Sequence, residues 1–262
     1  MSLNRLRNMF EKKEGAVGTF FSGGNMSFME CLGFSGLDFV IIDCEHGPFD
    51  TETMMDLIRA AELRGLVPMV RIANVDHKEI QRAADCGAQG IIVPCLRDVP
   101  DFRRLVDLAK FTPLGNRGFI KGRGAGFGCA DWADTKGLEE YFENSNDRLI
   151  VMPQCETREA LESIEEIAAI PGIDGIFIGP FDLSTAMGIA GRFDLPEFKA
   201  AEKRVLEACR AAGKICYTFA TSAEKTAAYL KEGYDGVACS QDYIIFTEAY
   251  RALNADIRSR LK

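Results

Sequence analysis

The sequence predicts an α/β protein folded as a single-domain (β/α)8 TIM barrel spanning residues 1–262. Three observations predict it. Short apolar runs of four to six residues, rich in Val, Ile and Phe, recur along the chain with little polar alternation, as in strands buried on both faces of a parallel sheet. Amphipathic stretches separate these runs. The length of 262 residues accommodates eight strand–helix units. A doubly wound open sheet is the rival, disfavoured because no strand is followed by a dinucleotide-type glycine fingerprint.

In order, the predicted strands are Ala16–Phe21, Asp38–Ile42, Val67–Val70, Gly90–Val93, Leu149–Met152, Gly175–Ile178, Lys214–Phe219 and Asp235–Cys239. After the second, Asp50 caps a helix with Met54, Leu57, Ile58 and Ala61 on one face and Gly65 beyond its end. After the third, His77 opens a helical stretch and faces solvent. After the fifth, Thr157 caps a helix carrying Leu161, Ile164, Ile167 and Ala168, which Pro171-Gly172 stops. The last segment puts Phe246, Tyr250, Leu253 and Ile257 on one side, a stripe that suits core packing or a subunit contact. One connection is overlong: 59 residues separate the strand starts at Gly90 and Leu149, and a glycine-rich segment fills about 112–147.

With 31 basic against 39 acidic residues the chain carries −8, which argues against nucleic acid or an anionic membrane as a partner, since both demand clustered Lys and Arg. No apolar run approaches a membrane span and the N-terminus lacks a secretory pattern. Nine cysteines without a C-x-x-C pair, mostly within apolar stretches, imply a reducing, cytoplasmic location. Only His46 and His77 are available, so a metal site would take carboxylates and favour a hard divalent ion.

Chemistry in such a barrel sits where strands end at their carboxyl side. Four ends there are polar: Asp43-Cys44-Glu45-His46, Arg71, Gln154-Cys155-Glu156 and Gly179-Pro180-Phe181-Asp182. Each residue has an ordinary structural use, Asp182 as a helix cap and Arg71 as a rim ion pair among them, but all four ends converge on one axial cavity. Two carboxylates from neighbouring strands can hold a divalent ion, an Arg can face a developing oxyanion, and His46 with Asp43 makes an acid–base pair. That inventory suits removal of a proton next to a carbonyl. Strand alternation turns Cys44 and Cys155 away from the cavity.

Asp43-x-Glu45-His46, Pro68-x-Val70-Arg71, Gln154-x-Glu156-Thr157 and Gly179-Pro180-x-Asp182-Leu183-Ser184 together resemble the HpcH/HpaI family of class II pyruvate aldolases, in order from about Gly18 to Asp242. The resemblance implies a barrel of the phosphoenolpyruvate/pyruvate type that assembles as a homo-oligomer, a hexamer, exchanging its last helix between subunits. It implies Mg2+, Mn2+ or Co2+ on Glu156 and Asp182, chelated by a 2-keto acid. Arg71 would contact the keto oxygen, and His46 with Asp43 would serve acid–base chemistry. Gln154 would contact the keto acid, and the Gly179-Pro180-Phe181-Asp182 turn, through the amides of Phe181 and Asp182, its carboxylate. Asp85 matches an acid contributed by an adjacent subunit, and an ordinary helix-surface acid is the equal alternative.

The departure from the family lies in Gly122-Arg123-Gly-Ala-Gly-Phe-Gly128, preceded by Lys121. This segment reads either as a lid whose cations meet an acidic aldehyde or as a loop without catalytic part. The expected reaction is reversible cleavage of a 4-hydroxy-2-keto acid to pyruvate and an aldehyde. Oxaloacetate decarboxylation or cleavage of a malyl- or citryl-CoA thioester would use the same enolate. A non-catalytic barrel binding keto acids is the third reading.

Overall fold

In the computed structural model, which describes residues 2–261, the apolar runs close into one parallel barrel in the order β1 to β8. The strands are β1 (Ala16–Phe21), β2 (Phe39–Asp43), β3 (Val67–Arg71), β4 (Gly90–Val93), β5 (Ile150–Cys155), β6 (Gly175–Ile178), β7 (Ile215–Ala220) and β8 (Gly236–Gln241). Helices alternate with them: α1 (Arg5–Lys12), α2 (Met26–Gly33), α3 (Thr51–Leu63), α4 (His77–Cys86), α5 (Val99–Ala109), α6 (Leu138–Arg148), α7 (Arg158–Glu162), α8 (Ile164–Ala168), α9 (Pro180–Ala186), α10 (Pro196–Ala212), α11 (Ala223–Glu232) and α12 (Asp242–Arg260). The (β/α)8 prediction is borne out. None of these helices is long and apolar enough to cross a membrane.

Side-chain alternation divides the interior into two layers. Inside the barrel, Phe39 and Ile41 of β2, Val67 and Met69 of β3, Ile150 and Met152 of β5, and Ile215 and Tyr217 of β7 form one apolar cluster. Leu6 of α1 joins it, with Met9 and Phe10 packed alongside. The intervening residues, such as Val40, Val70, Ile91, Val151 and Ile176, face outward and pack with Leu57, Ile80, Leu105, Ile164 and Val205 of the helices. Burying each such side chain contributes roughly 1.5–3 kcal/mol. Cys155 is buried in this outer layer and Cys44 packs against it, as the alternation predicts.

Local signals act as expected at most helix ends. Asp50 Oδ1 accepts from the amide of Thr53, and Gly65 follows α3 at φ +76°, where a side chain would be strained. Three expectations need correction. The segment after Thr157 is two short helices, α7 and α8, broken at Ser163, rather than one. The apolar stripe of α12 is not core: no residue of this helix is buried, and Phe246, Tyr250, Leu253 and Ile257 are all exposed.

The third correction concerns the glycine-rich connection. It joins α5 to α6 and β5, so it lies at the amino-terminal rim of the barrel and is no lid over its own chain's cavity. Its cations are spent locally. Arg123 pairs with Glu62 at 2.6 Å and donates to the Cys86 carbonyl, and Lys121 donates to the Ala133 carbonyl. Beneath it Phe111, Phe119, Trp132, Tyr141 and Phe142 make an aromatic cluster.

Candidate active site

The carboxyl ends of the strands surround a cavity of about 320 Å3. Its lining includes His46, Arg71, Gln154, Gly179, Pro180, Phe181 and Asp182. The inward positions of each strand continue into this mouth, so the same two-residue repeat that fills the barrel with Phe39 and Ile41 delivers Asp43, and Val67 and Met69 lead to Arg71. Asp43 and Arg71 are register partners on adjacent strands.

They form a two-point ion pair: Arg71 Nε donates to Asp43 Oδ1 at 2.8 Å and Nη2 to Oδ2 at 2.7 Å. Burial would raise the Asp43 carboxyl, but the guanidinium and the amides of His46 and Glu45 outweigh it and hold the group below its ordinary range. Ser22 Oγ also donates to Asp43. Burial would lower Arg71, only 8% exposed, but its bonds to Asp43 and the negative charges of Asp43, Glu45 and Glu156 together outweigh that and raise it above its usual value. Its Nη1 lies 3.1 Å from Glu45 Oε2, an ion-pair distance without aligned hydrogen-bond geometry. Arg71 is therefore a buried, clamped cation and not a rim ion pair.

This arrangement revises the pairing of His46 with Asp43. From His46, Asp43 accepts the backbone amide alone, at 3.3 Å, and its carboxylate is engaged by Arg71. The imidazole instead lies 3.7 Å, Nε2 to Oε1, from Glu45, with its side chain 73% exposed. Burial raises the Glu45 carboxyl against the opposing pull of Arg71 and His46.

Gln154 of β5 and Glu156, one residue beyond its end, continue the inward series. Glu156 Oε1 accepts the Cys95 amide at 2.6 Å and Oε2 accepts Gln154 Nε2 at 2.8 Å. Cys95 adopts φ +60°, an unusual conformation for a side-chain-bearing residue, and this turn aims its N–H at the carboxylate. Gly179 allows the close packing here, since a Cβ at that position would meet Glu156 Oε2 at 2.6 Å. Burial, together with the negative charges of Asp182 and Glu45, raises the Glu156 carboxyl despite the Cys95 amide. Asp182, in the first turn of α9, is exposed and makes no hydrogen bond or ion pair among the described residues, so it caps nothing.

A divalent cation suits this donor set. The charge of Asp182 bears on Glu156 and disfavours its ionised form, and Gln154 Oε1 is buried beside Glu156 without a partner. No cluster of three or more His, Cys, Asp or Glu side chains with metal-holding geometry occurs among the described residues, so the candidate ligands are Glu156 and Asp182, with the remaining positions left to substrate and water.

Asp85 is not brought to this site. It lies near the end of α4 that leads into β4, at the opposite rim, where Arg117 Nη2 donates to it at 2.7 Å. His77 is likewise outside the cavity lining. Conversely, the sequence reading left out Phe20, Phe177, Phe219, Thr221, Gln241 and Ile244, all of which line the cavity. Reading the ends of all eight strands would have found Thr221 beyond β7 and Gln241 at the end of β8.

The family model described as HpcH/HpaI aldolase/citrate lyase matches residues 16–249. The chain belongs to this family. It is accordingly an aldolase-type enzyme, a lyase. One relative, 2-dehydro-3,6-dideoxy-6-sulfogluconate aldolase of Pseudomonas putida, is 30% identical over 96% of each chain. Hydroxypyruvate/pyruvate aldolase of Agrobacterium fabrum is 31% identical over 96% of this chain and 92% of its own. Among solved structures, an HpcH/HpaI aldolase from Desulfitobacterium hafniense superposes with a TM-score of 0.88 at 28% identity, covering 98% of this chain and 97% of that one.

Proposed function

We propose that this family member is a divalent-metal-dependent aldolase that reversibly cleaves a 4-hydroxy-2-keto acid to pyruvate and an aldehyde. The observation that carries the reading is the buried guanidinium of Arg71, fixed by Asp43 and facing the same cavity as Gln154 and Asp182. Glu156 and Asp182 would hold Mg2+, Mn2+ or Co2+, which when bound supplies Lewis acidity toward the keto acid.

Arg71 stabilises the negative charge that develops on the keto oxygen, and because its fork is already clamped, little reorganisation accompanies that charge. The Gln154 amide and the open amides of Phe181 and Asp182 at the start of α9 orient the keto acid. His46, exposed in the mouth and steered by Glu45, moves the proton at the 4-hydroxyl oxygen, directly or through water. Asp43 acts as the positioning group for Arg71. Asp85, remote from its own cavity, would serve that of a neighbouring copy. The exposed apolar side of α12 supports self-association into a homo-oligomer, for which a hexamer with exchanged last helices is the arrangement implied by the resemblance.

The test is exchange of the pyruvate C3 protons with solvent, followed by NMR with added Mg2+ or Mn2+, with EDTA, and with Arg71→Ala. Exchange that requires metal and is lost in the variant is expected. A folded protein that shows no exchange with any of these ions overturns the reading.

A further inference from the structure

Besides its polar groups, the cavity is lined by a set of aromatic rings. Phe20, Phe177, Phe181 and Phe219 line it, with Ile244 beside them. These rings brace one another edge-on. Phe20 lies 5.9 Å from Phe177 and 5.8 Å from Phe219, and Phe219 lies 6.1 Å from Phe181. Phe193 supports Phe181 from 5.0 Å. At its inner end the wall begins under the reaction centre, because the Arg71 guanidinium sits over the Phe20 ring at 4.7 Å. At its outer end Phe181 is half-exposed. The rings therefore form a contiguous series from beneath the Arg71 guanidinium to the rim.

Charge in the same cavity points the same way. Among the described residues Arg71 is the only Lys or Arg in the lining, and Asp43 and Glu45 already engage it. Lys121 and Arg123, the cations that could meet an acidic substrate, are bound at the opposite rim of their own chain. Thr221 and Gln241 offer hydrogen bonds without charge. A substrate tail ending in a carboxylate or sulfonate would leave water for phenyl faces, near Asp182 and Glu45, without a free countercharge from the same chain. A phenyl or branched alkyl tail would instead be removed from water against rings disposed for edge-to-face contact.

We infer that the aldehyde partner of this enzyme carries an aromatic or bulky apolar body rather than an acidic end, with Phe219 and Phe181 setting that preference. The inference rests on the enolate reading above and names the substrate class for that site.

The experiment measures pyruvate consumption by the full chain with Mg2+ or Mn2+, comparing kcat/KM for phenylacetaldehyde and for 4-oxobutanoate. Phenylacetaldehyde is expected to be favoured by roughly tenfold or more, the scale that a hydrophobic pocket achieves. Phe219→Ala and, at the half-exposed rim, Phe181→Ala should each lower that ratio severalfold. If pyruvate C3 exchange proceeds but the wild-type enzyme prefers 4-oxobutanoate, or if both folded variants keep the wild-type ratio, the inference is overturned and the enolate reading stands. Absence of exchange with every metal overturns both.

Discussion

Arg71 and Asp43 meet as register partners on neighbouring strands and share two hydrogen bonds, 2.8 and 2.7 Å long, inside the mouth of the barrel. Neighbouring parallel strands hold the two Cα atoms side by side, so the planar fork is aligned by the sheet itself. Asp43→Asn keeps the shape but removes the charge that orients the fork. We expect the pyruvate exchange rate to fall by roughly a hundredfold, the scale of losing an oriented electrostatic donor. Arg71→Lys should fare no better, because an ammonium cannot make the two-point contact. Exchange rates within threefold of wild type in both variants would remove Arg71 from the reaction.

Glu156 offers a test of ion binding independent of turnover. Glu156→Gln removes one candidate ligand charge while preserving an oxygen for the Cys95 amide and nearly the same volume. Calorimetric titration with Mn2+ should show affinity reduced by at least roughly tenfold, in line with the loss of one of two carboxylate ligands. Unchanged Mn2+ affinity would mean that the ion sits elsewhere.

Glu202 predicts a pH dependence of stability unrelated to the reaction. Its carboxyl is buried between α10 and α11, accepts the Tyr229 hydroxyl at 2.8 Å, and is pushed up to about 7 by burial and by Glu232, against the pull of Tyr229, Lys225 and Lys199. A raised carboxyl means that the folded state holds the proton more tightly than the unfolded state, whose value is near 4.5. The penalty is full above pH 7 and is relieved as pH falls from 7 towards 4.5. Glu202→Gln, which keeps an acceptor for Tyr229, should stabilise the protein at pH 8 by up to about 3 kcal/mol and by much less at pH 5. Urea unfolding at the two pH values reads this difference; equal effects at both would refute it.

Lys110 is 1% exposed, and its ammonium is held by Asp174 at 2.8 Å and by the carbonyls of Asn146 and Leu149. Arg7 lies on the same carboxylate, also at 2.8 Å. Removing one member of a buried ion pair leaves the others uncompensated, at a cost of about 3–5 kcal/mol. Lys110→Ala should lower the urea midpoint accordingly, whereas a loss under 1 kcal/mol would show that Arg7 alone satisfies Asp174.

The apolar side of α12 predicts assembly. Tyr250→Asp combined with Leu253→Asp should convert an oligomer to smaller species in light scattering coupled to gel filtration. A wild-type monomer at micromolar concentration would contradict the oligomer reading.

Much of the barrel was legible because its strands are apolar on both faces. Gly90–Val93 and Gly175–Ile178 were read with their observed ends. Strands β2, β3 and β5 run on through Asp43, Arg71 and Cys155, beyond the last apolar residue, because the backbone ladder continues while the interior turns polar. Apolar runs therefore stop short of the strand ends at the residues that form the site. The break at Ser163 and the exposure of α12 carried no such signal, since both depend on neighbours distant in sequence.

The sequence by itself determined the (β/α)8 fold, the strand ends that carry polar groups, and the outward direction of Cys44 and Cys155, because each follows from a local period. Tertiary structure alone decided the partners. It gave Asp43 to Arg71 instead of His46, placed Asp85 and the glycine-rich connection at the opposite rim, and gathered four phenylalanines from β1, β6, α9 and β7 into one wall. Periodicity fixes which way a side chain points along its own strand. Which groups then share a charge or a cavity depends on barrel closure, which joins positions as far apart as Phe20 and Phe219.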